Sequence, residues 1–216
     1  MTLLTVPDAP TQATMLYEQL KYRLMTGGVL PGQKLSIRKL SVEMATGIMP
    51  VREALKRLAS ERVLSSLVKR SYEVPLLNKK RAADLFNLRA LLESEAAVQA
   101  LAQISEAEVK DLRALIPRMH RAVLERRWDL YMVENHRFHF SIYHLCDNFD
   151  MIALVEQLWM QTGPSLRLGL EDSQPEPTWT DVHEALVDAI SKRDGTALRI
   201  HLLTDIRWDW SKRIVS

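Results

Sequence analysis

Apolar residues recur at three- and four-residue spacing along most of the chain, a pattern that predicts a largely helical protein. The first periodic stretch predicts a helix over residues 11–26, which ends at the Gly27 turn. A second helix is expected after Ser36, a favourable N-cap residue, and a third near Pro50. Proline suits the first turn of a helix because its missing N–H has no helical partner there. Three short helices therefore open the chain.

The second and third predicted helices are joined by only the residues ATGIM, a spacing typical of a helix-turn-helix. After Leu64, the segments VLSSLV and SYEVPLL contain β-branched and aromatic residues. They predict a small hairpin with Lys69 and Arg70 at its tip. We therefore predict a winged helix-turn-helix domain over residues 1–77.

From Asn78 onward, the periodicity predicts six further helices and neither a strand nor a glycine-rich phosphate loop. Turn-rich segments separate them, among them DNFD, EDSQPEPTW and RDGT. Ser105 and Glu108 have the spacing of a capping box, which predicts a helix start at this point. The predicted fold class is mainly α: an N-terminal winged helix-turn-helix joined to a C-terminal all-α helical bundle over residues 78–216.

Charge is distributed unevenly between the two predicted domains, although the formal net charge is only +2. Residues 1–80 contain 13 Lys and Arg against 6 Asp and Glu, whereas the remaining 136 residues contain 16 against 21. A basic domain indicates a polyanionic partner. The single cysteine, Cys146, rules out an internal disulfide framework, and no stretch has the roughly 18 apolar residues of a membrane span. We therefore expect a cytoplasmic protein without a membrane partner.

Basic residues on the third predicted helix are candidates for DNA contact. Arg52 and Lys56 lie one turn apart, opposite the apolar stripe of that helix. A guanidinium group bonds guanine O6 and N7 together, so Arg52 is the candidate for base recognition. Arg38, Lys69 and Arg70 are expected to hold phosphates. Any one of these cations alone is explained by a solvated surface charge, and only their combination indicates a duplex partner.

Histidines in the bundle are candidates for metal binding. Asn135 and His139 stand four residues apart on one helical face. Imidazole is a common ligand of Zn²⁺ and similar ions, so His183 and His201 could complete a site. Measured from the turn between their helices, these two histidines lie about 16 Å and about 9 Å away, so a shared site requires oblique packing. The alternative is a set of hydrogen-bonded core histidines or of surface histidines, which is our interpretation of His120, His136 and His144.

The N-terminal segment VLPGQKLSIRKLSVEMATGIMPVREALKRLASERVL resembles the GntR family of bacterial transcription regulators. The likeness is carried by the PG turn, by L-S-x-R-x-L and by the long P-V-R-E-A-L-x-R-L stretch. It implies that Arg38 and Arg52 contact DNA and that the Lys-Arg pair lies at the wing tip. Ile48 and Ser71 stand where the family usually has arginine and glycine, so the operator preference is expected to differ.

The C-terminal half is similar to the ligand-sensing domain of the FadR subfamily, through LRALLESEAA, ENHRFHFSIYHLCDN and HEALVDAISKRDGTALRIHL. Members of the subfamily commonly bind a divalent metal through an Asp or Asn and three histidines. The resemblance implies a divalent ion, Zn²⁺ first and Ni²⁺ or Mn²⁺ as alternatives. It also implies that Arg89 faces an effector, the alternative being an ion pair with Glu93 one turn on. The implied metal ligands are Asn135, His139, His183 and His201.

These features predict a DNA-binding transcription regulator and not an enzyme. We expect a homodimer, a repressor in preference to an activator, that reads paired half-sites of operator DNA. A small organic acid would bind at the metal-containing pocket and control operator binding. One alternative is a regulator for which the metal ion is itself the signal. Another is a metal-dependent hydrolase, which lacks an obvious general base beside the cluster.

Overall fold

The computed structural model describes residues 10–67, 71–171 and 180–206, and these ranges are mainly helical with one small sheet. Residues 10–67 and 71–77, the described part of the N-terminal domain, contain three helices and three short strands. Their order is α1 (Gln12–Met25), β1 (Lys34–Ser36), α2 (Ile37–Glu43), α3 (Ile48–Ser60), β2 (Ser65–Leu67) and β3 (Ser71–Glu73).

Local signals explain where the first three helices begin. Thr11 caps α1 by accepting a hydrogen bond from the backbone N–H of Thr14. Ser36 is the N-cap of α2, as predicted, although its side chain makes no capping hydrogen bond. Helix α3 starts earlier than its proline suggests, with Gly47 as N-cap and Pro50 as the third helical residue. A proline is tolerated there because none of the first four N–H groups of a helix has an intrahelical acceptor.

The sheet has the strand order β1-β3-β2, and both pairings are antiparallel. The pairing of β2 with β3 confirms the predicted hairpin strands. Strand β1 was not predicted, because the sequence indicates a turn through Lys34 and Leu35 and an N-cap at Ser36. It pairs Leu35 with Tyr72 and so ties the start of α2 to the wing. The predicted hairpin tip, Lys69 and Arg70, lies outside the described residues.

Six helices follow within the described ranges, the number that the periodicity predicts. The Ser105–Glu108 capping box is confirmed, with both reciprocal hydrogen bonds present. Helix α4 is capped by Asn78, whose side chain accepts from the N–H of Arg81. None of the helices described is long and apolar enough to cross a membrane. The helices are α4 (Lys79–Ala100), α5 (Glu106–Leu124), α6 (Trp128–Tyr143), α7 (Phe149–Glu171), α8 (Asp181–Ser191) and α9 (Gly195–Ile206).

Within the bundle, helices α6, α8 and α9 pack around the long helices α4 and α5. Helix α4 contacts α6, α7 and α9, while α5 contacts α6 and α8, and α8 packs on α9. A single cluster of buried apolar residues extends from α1 into the bundle, so the two predicted domains share one hydrophobic core. The shared part lies where α1 packs against α7.

The contact between α1 and α7 depends on two glycines. A Cβ atom on Gly163 of α7 would stand 2.5 Å from the carbonyl oxygen of Leu24 and 2.6 Å from that of Met25. Gly27, which follows α1, has a φ of +66° and faces the Arg167 side chain so closely that a Cβ would overlap it. An ion pair of 2.8 Å between Lys21 and Glu156 lies on the same contact. The backbones of the two helices therefore meet without side chains between them.

Replacing Gly163 by alanine is expected to destabilise the protein by about 1–3 kcal/mol, the usual cost of overpacking a buried contact. The added methyl group meets backbone carbonyls, which cannot rotate away as a flexible side chain can. Thermal unfolding of the purified variant measures the effect. Gly195→Ala is the matched control, because a Cβ there finds apolar atoms of Val98 and Leu101 at 3.5 Å, an ordinary contact distance. An unchanged melting temperature for Gly163→Ala would contradict the close crossing.

Candidate DNA-binding surface and metal centre

Helix α3 has one apolar side and one cationic side. Val51, Ala54, Leu55 and Leu58 are buried against the rest of the N-terminal domain. On the other side, Arg52 is half-buried and Lys56 is exposed, and Arg38 is exposed on the neighbouring α2. Within the part of the chain that the structure describes, none of these three cations has a hydrogen bond or an ion pair. Their charges are therefore available to an anionic partner.

Arg57 of the same helix is exposed, but its guanidinium is paired within the domain. Its Nε donates to Glu61 Oε1 at 3.0 Å, and its guanidinium lies 3.6 Å from the ring centroid of Tyr17. The Tyr17 hydroxyl in turn donates to the second oxygen of Glu61 at 2.8 Å. Arg57 thus fixes α3 to α1, in contrast to Arg52 and Lys56.

The bundle brings together two histidines and a carboxylate from three helices. His139 of α6, His183 of α8 and Asp205 of α9 place their ligand atoms within 4.8 Å of one another. His139 Nε2 is 3.2 Å from Asp205 Oδ2, and His183 Nε2 is 3.9 Å from Asp205 Oδ1. Both imidazoles are buried and the carboxylate is nearly so. This group is the candidate metal centre.

Asn135, a predicted ligand, lies beside the centre. Asn135 stands one helical turn before His139 on α6. Its side-chain oxygen is 3.0 Å from His183 Nε2. His201, the remaining predicted ligand, is half-buried on α9 and does not belong to the group defined by the 4.8 Å limit among the described residues. Asp205, which sequence analysis missed, lies one turn beyond His201 on α9.

Helix length explains why Asp205 meets His183. At a rise of about 1.5 Å per residue, Asp205 lies about 15 Å along α9 from the turn that follows α8. His183 lies about 16 Å along α8 from the same turn, so these two residues are level in the hairpin. His201 lies about 7 Å closer to the turn than His183 does, so these two residues are not level. The signal that would have found Asp205 was therefore present in the spacing of the sequence.

The donor set fits a divalent cation. Metal–ligand bonds of about 2.0–2.2 Å place neighbouring ligand atoms roughly 3 Å apart, which matches the shorter separations observed. Two imidazole nitrogens, a carboxylate and an amide oxygen suit Zn²⁺ and the harder first-row ions. His183 Nε2 faces the oxygens of both Asn135 and Asp205, so either a proton or a cation must lie between them.

Electrostatics hold the carboxylate of the centre in its charged form. Burial alone would raise the pKa of Asp205, but the nearby His183 and the contacts with His139 outweigh it and lower the pKa to about 2. Arg89 contributes a smaller effect in the same direction. A permanent negative charge beside two imidazoles is the arrangement that a cation stabilises.

Arg89, the predicted effector residue, is buried and already paired. Its Nε donates to Glu93 Oε1 at 2.6 Å, and its Nη1 donates to Thr162 of α7 at 3.3 Å. The guanidinium also lies 4.4 Å from the ring centroid of Trp159. The ion pair that the sequence offered as the alternative is therefore formed in this structure.

The other histidine of this face, His136, packs in an aromatic cluster outside the centre. Its ring stacks on Phe140 at 4.4 Å between centroids and meets Tyr22 of α1 edge-on at 5.4 Å. Burial is the main reason that its pKa falls to about 4. It acts as a neutral aromatic residue at the junction of α1 and α6.

Comparison with known families decides between the classes of protein that this fold could represent. Residues 84–207 match the model of the FCD domain, and residues 12–74 match that of the "Bacterial regulatory proteins, gntR family". The chain belongs to the GntR family of transcription regulators with an FCD domain. Its relatives are regulators and not enzymes, which confirms that prediction.

Several characterised GntR regulators align over most of their length. HTH-type transcriptional regulator McbR of Escherichia coli is 28% identical over 87% of this chain and 85% of its own. The repressor GlaR of E. coli is 28% identical, over 88% of this chain and 92% of its own. The gluconate operon repressor of Bacillus subtilis is 28% identical over 86% and 78%.

Solved structures share the fold. The E. coli McbR structure superposes with a TM-score of 0.87 at 24% identity, covering 94% of this chain and 96% of that one. A GntR regulator from Rhodococcus superposes with a TM-score of 0.73 at 16% identity, covering 93% and 96%. At these identities the likeness establishes the architecture, a winged helix-turn-helix followed by a helical domain.

Proposed function

We propose that this GntR regulator is a homodimeric repressor whose operator binding is controlled by a small organic acid at a metal centre in the C-terminal domain. The observation that carries the proposal is the convergence of His139, His183 and Asp205 inside the FCD domain. The same proposal divides the chain into a DNA-binding domain, residues 1–77, and an effector-binding domain, residues 78–216.

DNA recognition is assigned to the cationic side of α3. Arg52 reads a base edge in the major groove, Lys56 lies beside it, and Arg38 holds a phosphate. Lys69 and Arg70 are proposed to add phosphate contacts from the wing. Arg52, Lys56 and Arg38 have no partner among the described residues, and this supports the assignment, since an unpaired cation loses no ion pair on binding. Two copies related by a two-fold axis would read the two half-sites of a palindrome.

The metal is assigned to Asn135, His139, His183 and Asp205, with His201 as the further predicted ligand one turn away. When bound, a divalent ion such as Zn²⁺, Ni²⁺ or Mn²⁺ would supply a Lewis-acidic position for the carboxylate of an effector. The protein residues orient that position and bury it. The relative that represses the gluconate operon makes a sugar acid a reasonable first member of the effector class.

Arg89 is proposed to take part in effector binding by exchanging its partner. In the present arrangement its guanidinium binds Glu93, so an effector carboxylate would have to compete with that pair. Such an exchange gives the ligand a different interaction with two states of the protein, which is the condition for any regulatory effect.

The second candidate is a regulator for which the metal ion is itself the signal. It is favoured by the fact that protein side chains alone provide a dense set of ligand atoms within 4.8 Å. In this case metal binding changes operator affinity without any acid.

One experiment distinguishes the two functions. The full chain is freed of metal with a chelator and mixed with a duplex selected from a random library by the same protein. Zn²⁺, Ni²⁺ and Mn²⁺ are added first, and then gluconate, succinate or malate at fixed metal. Binding is followed by fluorescence anisotropy. We expect metal to bind without releasing the duplex, and an acid to release it.

Release by metal alone would support the metal sensor and contradict the acid-controlled regulator. Elemental analysis of protein purified without added metal gives an independent measurement of what the site holds. A protein that binds none of the three ions would contradict both forms of the proposal and leave the DNA-reading assignment in place.

A further inference from the structure

A continuous chain of buried hydrogen bonds leads away from the metal centre on the side opposite Asp205. His139 Nδ1 is 3.2 Å from the hydroxyl of Tyr143, one turn further along α6. That hydroxyl donates to Glu93 Oε2 of α4 at 2.7 Å, and Glu93 is held in turn by Arg89. Tyr143 and Glu93 are fully buried, so water does not compete for these contacts.

The directions of these hydrogen bonds determine that Nδ1 of His139 carries a proton. Glu93, paired with a guanidinium, acts as an acceptor, so the single proton of the Tyr143 hydroxyl is donated to it. The hydroxyl oxygen can then only accept from His139, which requires the ring proton on Nδ1. When the ring is neutral, its lone pair lies on Nε2, the atom that faces Asp205, and a bound metal ion would replace the proton that otherwise joins Nε2 to Oδ2.

We propose that Tyr143 and Glu93 are positioning residues that hold His139 in the Nδ1–H form and aim its Nε2 at the metal. The inference rests on the proposed metal site. It assigns a role to Tyr143 and adds a second one to Glu93, which already pairs with Arg89.

The geometry supports positioning over simple packing. An imidazole ligand generally donates its second N–H to a carboxylate, a carbonyl or water, which fixes its ring orientation. Here a phenol stands between the imidazole and the carboxylate, and the two 3.2 Å contacts of His139 lie on opposite ring nitrogens. Arg89 compensates the charge of Glu93, which permits a carboxylate to remain buried there.

The test is Tyr143→Phe, which removes one hydroxyl and leaves the Arg89–Glu93 pair in place. Loss of a supporting contact of this kind typically lowers metal affinity 10–100-fold, and we expect a loss in that range for Zn²⁺. Affinity is measured on the full chain by competition with a chelating dye. Tyr72→Phe, which removes a hydroxyl from β3 in the other domain, is the matched control and should bind Zn²⁺ like the wild type.

A second measurement does not depend on the variant being well folded. In wild-type protein with ¹⁵N-labelled histidine and Zn²⁺ bound, the ring nitrogen shifts of His139 should show a proton on Nδ1 and metal on Nε2. Metal on Nδ1 would overturn the inference, as would a Tyr143→Phe variant with wild-type Zn²⁺ affinity. If the wild type itself binds no Zn²⁺, Ni²⁺ or Mn²⁺, the metal site fails and the inference fails with it, a result distinct from either of the other two.

Discussion

Replacing Arg52 by alanine is expected to abolish specific operator binding while leaving weak, sequence-independent binding to DNA. Arg52 lies on the cationic side of α3, and its guanidinium has no partner within the described part of the protein. A bidentate contact to guanine contributes about 1–3 kcal/mol of discrimination at one position, and a symmetric dimer loses it twice. The expected loss in affinity for the selected duplex is therefore roughly 30-fold to about 20,000-fold.

The measurement is a gel-shift titration against the selected duplex and a scrambled duplex at several salt concentrations. Arg57→Ala is the matched control on the same helix, because Arg57 is engaged with Glu61 and Tyr17 and should affect stability more than DNA affinity. Arg52→Lys retains the charge but not the bidentate geometry, so it should keep phosphate-driven binding and lose base preference. Equal affinity of wild type and Arg52→Ala for the selected duplex would remove α3 from its proposed role.

Replacing His183 by alanine should eliminate measurable metal binding. His183 is fully buried, and its Nε2 is the atom that approaches both Asn135 and Asp205. Its removal takes away a nitrogen ligand and leaves the Asp205 carboxylate with less compensation in a buried position. We expect a loss of more than about 100-fold in affinity, beyond the range of supporting residues.

Calorimetric titration of metal into the chelator-treated protein measures this effect. His120→Ala, on α5 and outside the centre, is the control and should bind metal normally. Two further variants decide the fourth ligand: Asp205→Asn should weaken binding strongly, and His201→Ala should weaken it only if that side chain also reaches the metal. Stoichiometric binding by His183→Ala would show that the metal occupies some other place.

Much of the fold follows from periodicity and capping chemistry. The helices of the bundle, the Ser105–Glu108 capping box and the wing strands could be predicted because each has a local signal several residues long. Strand β1 could not, since three residues give no recognisable alternation and its formation depends on pairing with β3, about 37 residues further on.

The candidate site was predictable in part. Spacing of four residues on one helix placed Asn135 next to His139, and the structure brings His183 to both. Asp205 has no metal-binding signal in its local sequence, and only its level in the α8–α9 hairpin relates it to His183. Arg89 can bind either Glu93 or a ligand. The relative affinity of Arg89 for these two partners depends on the folded site and has no local signal in the sequence. Dimerisation and the effector remain predictions.

The two glycines at the crossing of α1 and α7 have a consequence for signalling. Thr162, which receives a hydrogen bond from Arg89, directly precedes Gly163, where backbone touches backbone. This contact contains no flexible side chains that could adjust when one of the two helices moves. In the proposed dimer, a small translation of α7 on ligand binding would therefore displace α1 and change the distance between the two DNA-binding domains.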